Sequence, residues 1–145
     1  LADQISSYKL LSSPKKRAVE TMEIIDINNH SFILDPRFIE IPSDNIDAEE
    51  KKQWLVSIFT TPIDELPQVV KDWRNNLIHW LKGAEGNFIV ATHFMVINAL
   101  VSFITNNYAI SYFHPNYASR TEIFLKNGEL TQLILGDDKN TVINL

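Results

Sequence analysis

The stretch YKLLSSPKKRAVETMEII, residues 8–25, decides the fold class of this chain. Its first six residues form a short apolar run that is suited to a buried β-strand. Ser13 and Pro14 then form a pair that is favoured at the N-cap and the first position of an α-helix. Apolar residues from Ala18 to Ile25 recur at spacings of three and four, which predicts one apolar helix face. The stretch therefore predicts a strand that passes directly into a helix.

Further apolar runs alternate with helical patterns along the rest of the chain. SFILD (31–35) and NFIVAT (87–92) are predicted strands, and the second is continuously apolar, like a parallel strand covered on both faces. Three more helices are predicted: near Trp54, along an apolar stripe from Val69 to Leu81, and from about Met95 to Ile104. Arg74 lies outside the apolar stripe of its helix.

The C-terminal part of the sequence is typical of a β-hairpin. TEIFLK and ELTQLIL flank Asn127-Gly128, the dipeptide most favoured in two-residue hairpin turns. Strands that alternate with helices and end in a hairpin predict an α/β fold: a three-layer α/β/α sandwich with a mostly parallel sheet and an antiparallel C-terminal hairpin. The sequence contains no linker, so residues 1–145 are expected to form a single domain.

Composition excludes several classes of function. The 145 residues are 45% hydrophobic, which is enough for one globular core, and the net charge of −5 argues against nucleic acid or an acidic membrane surface as a partner. There is no cysteine, and the four histidines lack paired metal-ligand spacing, so neither a metal nor a cofactor is predicted. The expected location is the cytoplasm, with a signal peptide ahead of residue 1 left open.

Two segments place reactive side chains where α/β proteins bind ligands, beyond the carboxyl ends of parallel strands. Ser12-Ser13-Pro14 leads to Arg17, and Thr92-His93 follows the apolar strand directly. Lys15, Lys16 and Arg17 stand at a helix N-terminus, where a cation loses about 0.3–1 kcal/mol to the helix dipole. We therefore expect these groups to collect positive potential for a phosphate or another oxyanion.

Each of these residues also has a simpler structural interpretation. Arg17 alone could be a solvated surface charge, and His93 could be a hydrogen-bonded residue at the edge of a layer. Glu40, within DPRFIEI, could be a surface carboxylate, and Lys15 and Lys16 could face solvent. No single residue decides between its structural and its functional interpretation.

Four segments in order resemble the histidine phosphatase superfamily, whose fold is called phosphoglycerate-mutase-like. They are SSPKKRAVETMEII, DPRFIEI, IVATHFMVINAL and NYASRTEIFLKNGEL. The resemblance extends from about Ile5 to the C-terminus and implies a phosphoglycerate-mutase-like α/β/α fold.

The resemblance implies a role for each matching residue. Arg17 is implied to clamp the phosphate, and His93 to be the second active-site histidine that donates to phosphoryl oxygens. Glu40 is implied to protonate the leaving group, and Phe94 to face the phosphate with its backbone N–H. Fixed cationic donors stabilise the charge that spreads over the transferring phosphoryl group, and a positioned acid contributes about 10²–10⁴-fold.

The sequence departs from the family pattern at three places, one of which is the region after Glu40, where a clear substrate-selecting signature is missing. The family's nucleophile is a histidine in an Arg-His-Gly motif at the end of a first strand, and Arg-His-Gly does not occur here. Since the chain begins with Leu1 and LADQI resembles the end of an amphipathic helix, that strand is expected to precede residue 1. The chain as given is predicted to be inactive. Phe94 stands where many members have glycine.

These observations lead to several functional hypotheses. The first is that the complete protein is a metal-independent phosphomonoester hydrolase, without a cofactor, which acts on a phosphorylated small molecule through a phosphohistidine. The alternatives are a phosphoglycerate-type mutase, a non-catalytic module that binds a phosphorylated ligand or a protein, and an unrelated α/β domain. Neither the substrate nor the oligomeric state is predicted.

Overall fold

The computed structural model describes residues 8–26, 31–110, 120–126 and 129–135. Within these ranges the strands are β1 Lys9–Ser12, β2 Ile33–Leu34, β3 Phe88–Ala91, β4 Glu122–Lys126 and β5 Glu129–Ile134. The α-helices are α1 Lys16–Ile25, α2 Lys51–Thr60, α3 Gln68–Gly83 and α4 Phe94–Ile104. The interpretation of LADQI and the predicted turn at Asn127-Gly128 lie outside the described residues.

The first three strands form a parallel sheet in the order β2-β1-β3. The register pairs Leu11 with Ile33 on one side of β1 and with Val90 on the other. Strands β4 and β5 pair antiparallel in a second sheet, with an irregularity between Phe124 and Leu125. The predicted α/β fold with a mostly parallel sheet and a C-terminal hairpin is confirmed.

Alternating residues of β1 face opposite sides of the parallel sheet, as the pleat of a strand requires. Leu10 packs in a cluster with Ala18 and Met22 of α1. Leu11 packs in another cluster, with Leu77 of α3 and Val96 of α4. Helix α1 therefore covers one face of the sheet, and α3 and α4 cover the other, which is the three-layer arrangement.

Helix α1 begins two residues later than the sequence predicts. The sequence placed Ser13 at the N-cap and Pro14 first in the helix, whereas the helix starts at Lys16 and Lys15 holds the N-cap position. The backbone N–H of Ser13 donates to the carbonyl of Ala91 at 2.9 Å, so Ser13 continues the pairing of β1 with β3. Because Ser13 is still paired with Ala91, the helix can begin only after Ser13.

Strand β2 is shorter than predicted, and the side chains of β2 and β3 are less buried than predicted. Of the predicted strand 31–35, Ile33 and Leu34 pair with β1, and their side chains are exposed. In β3 Ala91 is buried, but the three residues before it are half-buried, so the expectation of full cover on both faces is wrong. Among the described strands, β3 has β1 as its neighbour on one side and none on the other, which explains this exposure.

Arg74 lies in the interior and not on the outer face of α3 as expected. Its exposure is 9%, and its guanidinium carbon is 5.9 Å from the ring centroid of Phe103 on α4. Burial lowers the pKa of Arg74, and its Nε has no hydrogen-bond partner. The reason is the packing of α3 against α4, which encloses a position that the apolar stripe alone assigned to solvent.

We expect Arg74→Met to raise the free energy of unfolding by about 1 kcal/mol. A buried donor without a partner costs about 1–3 kcal/mol, and methionine fills similar space without that cost. The measurement is urea unfolding of the purified chain. Lys82→Met is the control, because Lys82 is exposed and its Nζ lies 5.5 Å from the same Phe103 ring. The control should change stability by less than about 0.5 kcal/mol, and a clear loss of stability in Arg74→Met would contradict the explanation.

Candidate functional site

Backbone hydrogen bonds hold the carboxyl ends of the three parallel strands together. The N–H of Ser13 donates to the carbonyl of Ala91 at 2.9 Å, and the N–H of Asp35 donates to the carbonyl of Ser12 at 2.8 Å. Helices α1 and α4 begin within a few residues of these bonds. Two helix N-termini, each with N–H groups that have no partner within the helix, therefore meet at one edge of the sheet.

His93 lies at the N-cap position of α4, at this edge. Its Nε2 is 2.9 Å from the hydroxyl oxygen of Ser13. Burial lowers the pKa of His93, and the positive charges of Arg17 and Lys15 lower it further. Both cationic side chains are exposed, yet their charges reach the imidazole. The structure thus brings Arg17 and His93 to the same place and leaves His93 mainly uncharged at neutral pH.

Glu40 lies at the same end of α4. One carboxylate oxygen accepts a hydrogen bond from the N–H of Ile41 at 3.0 Å, and the other accepts from the N–H of Met95 at 3.4 Å. Burial raises the pKa of Glu40, and these two N–H groups, the N–H of Val96 and the charge of Lys51 oppose that shift more weakly. Glu40 is therefore protonated over a wider pH range than an exposed glutamate.

Two side chains fix the backbone just before Glu40. The hydroxyl of Thr92 donates to the carbonyl of Phe38 at 2.7 Å, and the indole N–H of Trp73 donates to the carbonyl of Ile39 at 2.9 Å. The sequence treated Trp73 only as part of the apolar stripe of its helix. No local pattern could show its polar contact, because the two partners are 34 residues apart.

Phe94 is the first residue of α4, and its ring points toward α2. The ring centroid lies 6.5 Å from that of Phe59, at a tilted angle, and the side chain packs against a buried cluster that includes Ile58 and Met95. The side chain therefore forms an apolar wall on the α2 side of the site. Contact between its backbone N–H and a phosphate stays a prediction.

No group of three or more acidic, histidine or cysteine side chains that could hold a metal occurs within the described parts of the chain. In the same parts, no helix is both long and apolar enough to cross a membrane. A cavity of about 390 Å³ lies at the amino ends of β1 and β3, away from their carboxyl ends, and it is lined by Lys9, Arg37 and His79 among others. That cavity does not include Arg17, Glu40 or His93.

One solved structure that the chain resembles is that of Bacillus stearothermophilus YhfR, with a TM-score of 0.68. The match covers 92% of this chain and 77% of YhfR at 18% sequence identity. YhfR is a phosphoglycerate-mutase-like histidine phosphatase family member. The chain has the phosphoglycerate-mutase-like fold. Neither the protein-family models nor the curated proteins gave a match to the sequence. At this identity the likeness to YhfR establishes the fold, and the roles of Arg17, Glu40 and His93 stay predictions.

We expect Arg17→Met to raise the pKa of His93, because the substitution removes a positive charge that opposes protonation of the imidazole. The measurement is an NMR titration of the histidine ring signals. Lys16→Met is the matched control: the Lys16 side chain is 90% exposed and lies 3.9 Å from Glu20. An unchanged or lower pKa of His93 in Arg17→Met would show that Arg17 does not face the imidazole.

The raised pKa of Glu40 predicts a definite dependence of stability on pH. The folded state holds the Glu40 proton more tightly than the unfolded state, so the stability that this group contributes is complete below its unfolded pKa and is lost as pH rises through its raised folded pKa. Glu40→Gln keeps an acceptor oxygen but cannot ionise, so its stability relative to the parent chain should increase between pH 4.5 and 7.5.

Urea unfolding at the two pH values checks this expectation. Glu49→Gln, in an exposed part of the loop before α2, is the control and should follow the parent chain. If Glu40→Gln instead loses stability relative to the parent as pH rises, the carboxylate is stabilised by its surroundings and cannot be held protonated.

Proposed function

We propose that this chain forms the phosphate-binding and proton-donating part of a metal-independent phosphomonoester hydrolase. The substrate class is a phosphorylated small molecule. The observation that carries the proposal is that the charges of Arg17 and Lys15 converge on His93, while Glu40, with its raised pKa, lies at the same helix N-terminus. A cationic site beside a carboxyl group with a raised pKa suits both binding and cleavage of a phosphate ester.

Phosphate binding would reverse the electrostatic state of His93. A bound dianion offsets the positive charges of Arg17 and Lys15, so the pKa of the imidazole rises and His93 can donate from a protonated ring. Arg17 presents a planar set of donors that matches phosphate oxygens. Donors fixed in this way stabilise the charge on the equatorial oxygens during phosphoryl transfer.

Glu40 would supply the proton that the leaving group needs. When the bond between phosphorus and the ester oxygen breaks, that oxygen carries the electron pair and takes the proton from the carboxyl group. The raised pKa of Glu40 keeps this proton on the carboxyl group to a higher pH than in an exposed glutamate, which favours general acid catalysis. The hydrogen bonds of Thr92 and Trp73 hold the segment that carries it.

The proposal requires a nucleophile from outside these 145 residues, because the sequence contains no Arg-His-Gly. In a phosphohistidine mechanism a ring nitrogen attacks phosphorus, and water later attacks the phosphohistidine to release phosphate. A protein that lacks this nucleophile would bind the anion without cleaving an ester. This non-catalytic binding module is the second candidate, and the missing motif is the observation that favours it.

Inorganic phosphate is the probe for the binding step, measured by isothermal titration with the purified chain. We expect Arg17→Ala to weaken binding by about 10–100-fold, since a hydrogen bond to a charged group contributes about 1.5–3 kcal/mol. Lys16→Ala removes the same charge one residue earlier and should leave binding within a factor of about two. An equal loss of phosphate affinity in both variants would show that Arg17 acts only through the general surface charge and does not contact the phosphate.

The catalytic step is tested with the intact natural protein and p-nitrophenyl phosphate in the presence of EDTA. We expect release of p-nitrophenol that EDTA does not reduce, and a loss of about 10²–10⁴-fold in kcat for Glu40→Gln. If the protein binds phosphate but does not hydrolyse p-nitrophenyl phosphate, the proposal of an enzyme is contradicted and the non-catalytic binding module is supported. Loss of activity in EDTA would contradict metal independence.

A further inference from the structure

We infer that Ser13 is a positioning residue for His93: its hydroxyl donates to Nε2, which leaves the Nδ1–H as the donor that faces the anion. The contact joins residues 80 positions apart, and the oxygen and nitrogen are 2.9 Å from each other. That Nδ1–H faces an anion rests on the proposed function. The hydrogen bond from Ser13 and the tautomer that it selects are independent of that function.

The main chain holds Ser13 in place on both sides of its hydroxyl. Its N–H donates to Ala91 at 2.9 Å, and its carbonyl accepts the hydroxyl of Ser12 at 2.8 Å. The Ser13 hydroxyl oxygen accepts the N–H of Lys15 at 3.3 Å, and the side chain is fully buried. Because Ser13 is fixed and His93 is half-buried at a helix start, the serine orients the ring.

We assign the direction of the hydrogen bond from the neutral charge of the ring and from the acceptor that the Ser13 hydroxyl can reach. Burial and the positive charges of Arg17 and Lys15 keep His93 neutral, so one of its ring nitrogens is an acceptor. The hydroxyl of Ser13 already accepts from Lys15, and the acceptor within reach of its own proton is Nε2. A donated proton at Nε2 requires that the ring proton sits on Nδ1.

The same hydroxyl can serve the protonated form of His93. When anion binding protonates the ring, Nε2 becomes a donor and the Ser13 oxygen accepts from it with its second lone pair. The hydroxyl rotates and no heavy atom has to move. Ser13 thus keeps His93 oriented in both charge states, a property that alanine cannot supply and threonine can.

A serine hydroxyl at this distance from an imidazole is also the arrangement that activates a serine nucleophile. Ser13 is 0% exposed, so phosphorus cannot approach its oxygen in line without displacement of the surrounding chain. Burial therefore separates the two roles and assigns Ser13 to positioning.

The test is the tautomer of neutral His93, read from the ring ¹⁵N shifts of the ligand-free chain above the His93 pKa. We expect the parent chain to show a protonated Nδ1 and an unprotonated Nε2. Ser13→Ala should shift the tautomer ratio toward Nε2–H by about three- to tenfold, the effect of one neutral hydrogen bond. Ser13→Thr should restore the parent ratio, and Ser102→Ala, at a buried serine that bonds Ala109, is the control.

Three results would overturn the inference. They are a parent chain with Nε2–H, a ratio that Ser13→Ala leaves unchanged, and phosphate found covalently on Ser13 by mass spectrometry after incubation with p-nitrophenyl phosphate. The first of these needs no variant, so a Ser13→Ala chain that does not fold leaves the test intact. Since the tautomer is measured without ligand, failure to bind phosphate would contradict the proposed function and not the hydrogen bond.

Discussion

The parallel pairing of β1 with β3 is the constraint on which the site depends. Its register places Ser12 opposite Ala91, and one further bond, from the N–H of Ser13 to Ala91, carries the pairing beyond the strand. That register brings the N-terminus of α1 next to that of α4, and so brings Arg17 toward His93. A slip of one residue would send every side chain of β1 to the opposite face, and both packed layers would lose their cores.

The positive charges at this edge of the sheet destabilise the start of α1, and the same edge carries the proposed anion site. A helix that begins with Lys16 and Arg17 is less stable than one that begins with acids, because its first N–H groups are already positive. Burial lowers the pKa of His93, and the charges of Arg17 and Lys15 lower it further. The proposed anion would relieve both effects at once, since helix N-termini, the guanidinium and a protonated imidazole would all stabilise it. Glu40, whose pKa is raised by burial, lies beside this cationic centre at the start of α4.

Much of this arrangement could be predicted from the sequence, because strands, helix faces and their order follow from local periodicity. The strand over 8–13, the long helix before Gly83 and the hairpin are local patterns, and the structure contains all three elements. The contact of Ser13 with His93 and that of Trp73 with Ile39 could not be predicted, because each joins distant parts of the chain. The burial of Arg74 depends on how two helices pack, which the apolar stripe of a single helix does not specify.

The most direct test of the anion site is a crystal structure of the chain soaked with tungstate, a phosphate analogue whose tungsten is located by anomalous scattering. We expect tungstate at the N-terminus of α4, with its oxygens about 2.7–3.2 Å from the guanidinium of Arg17 and a ring nitrogen of His93. Tungstate bound in the cavity lined by Lys9, Arg37 and His79, with none at α4, would contradict it.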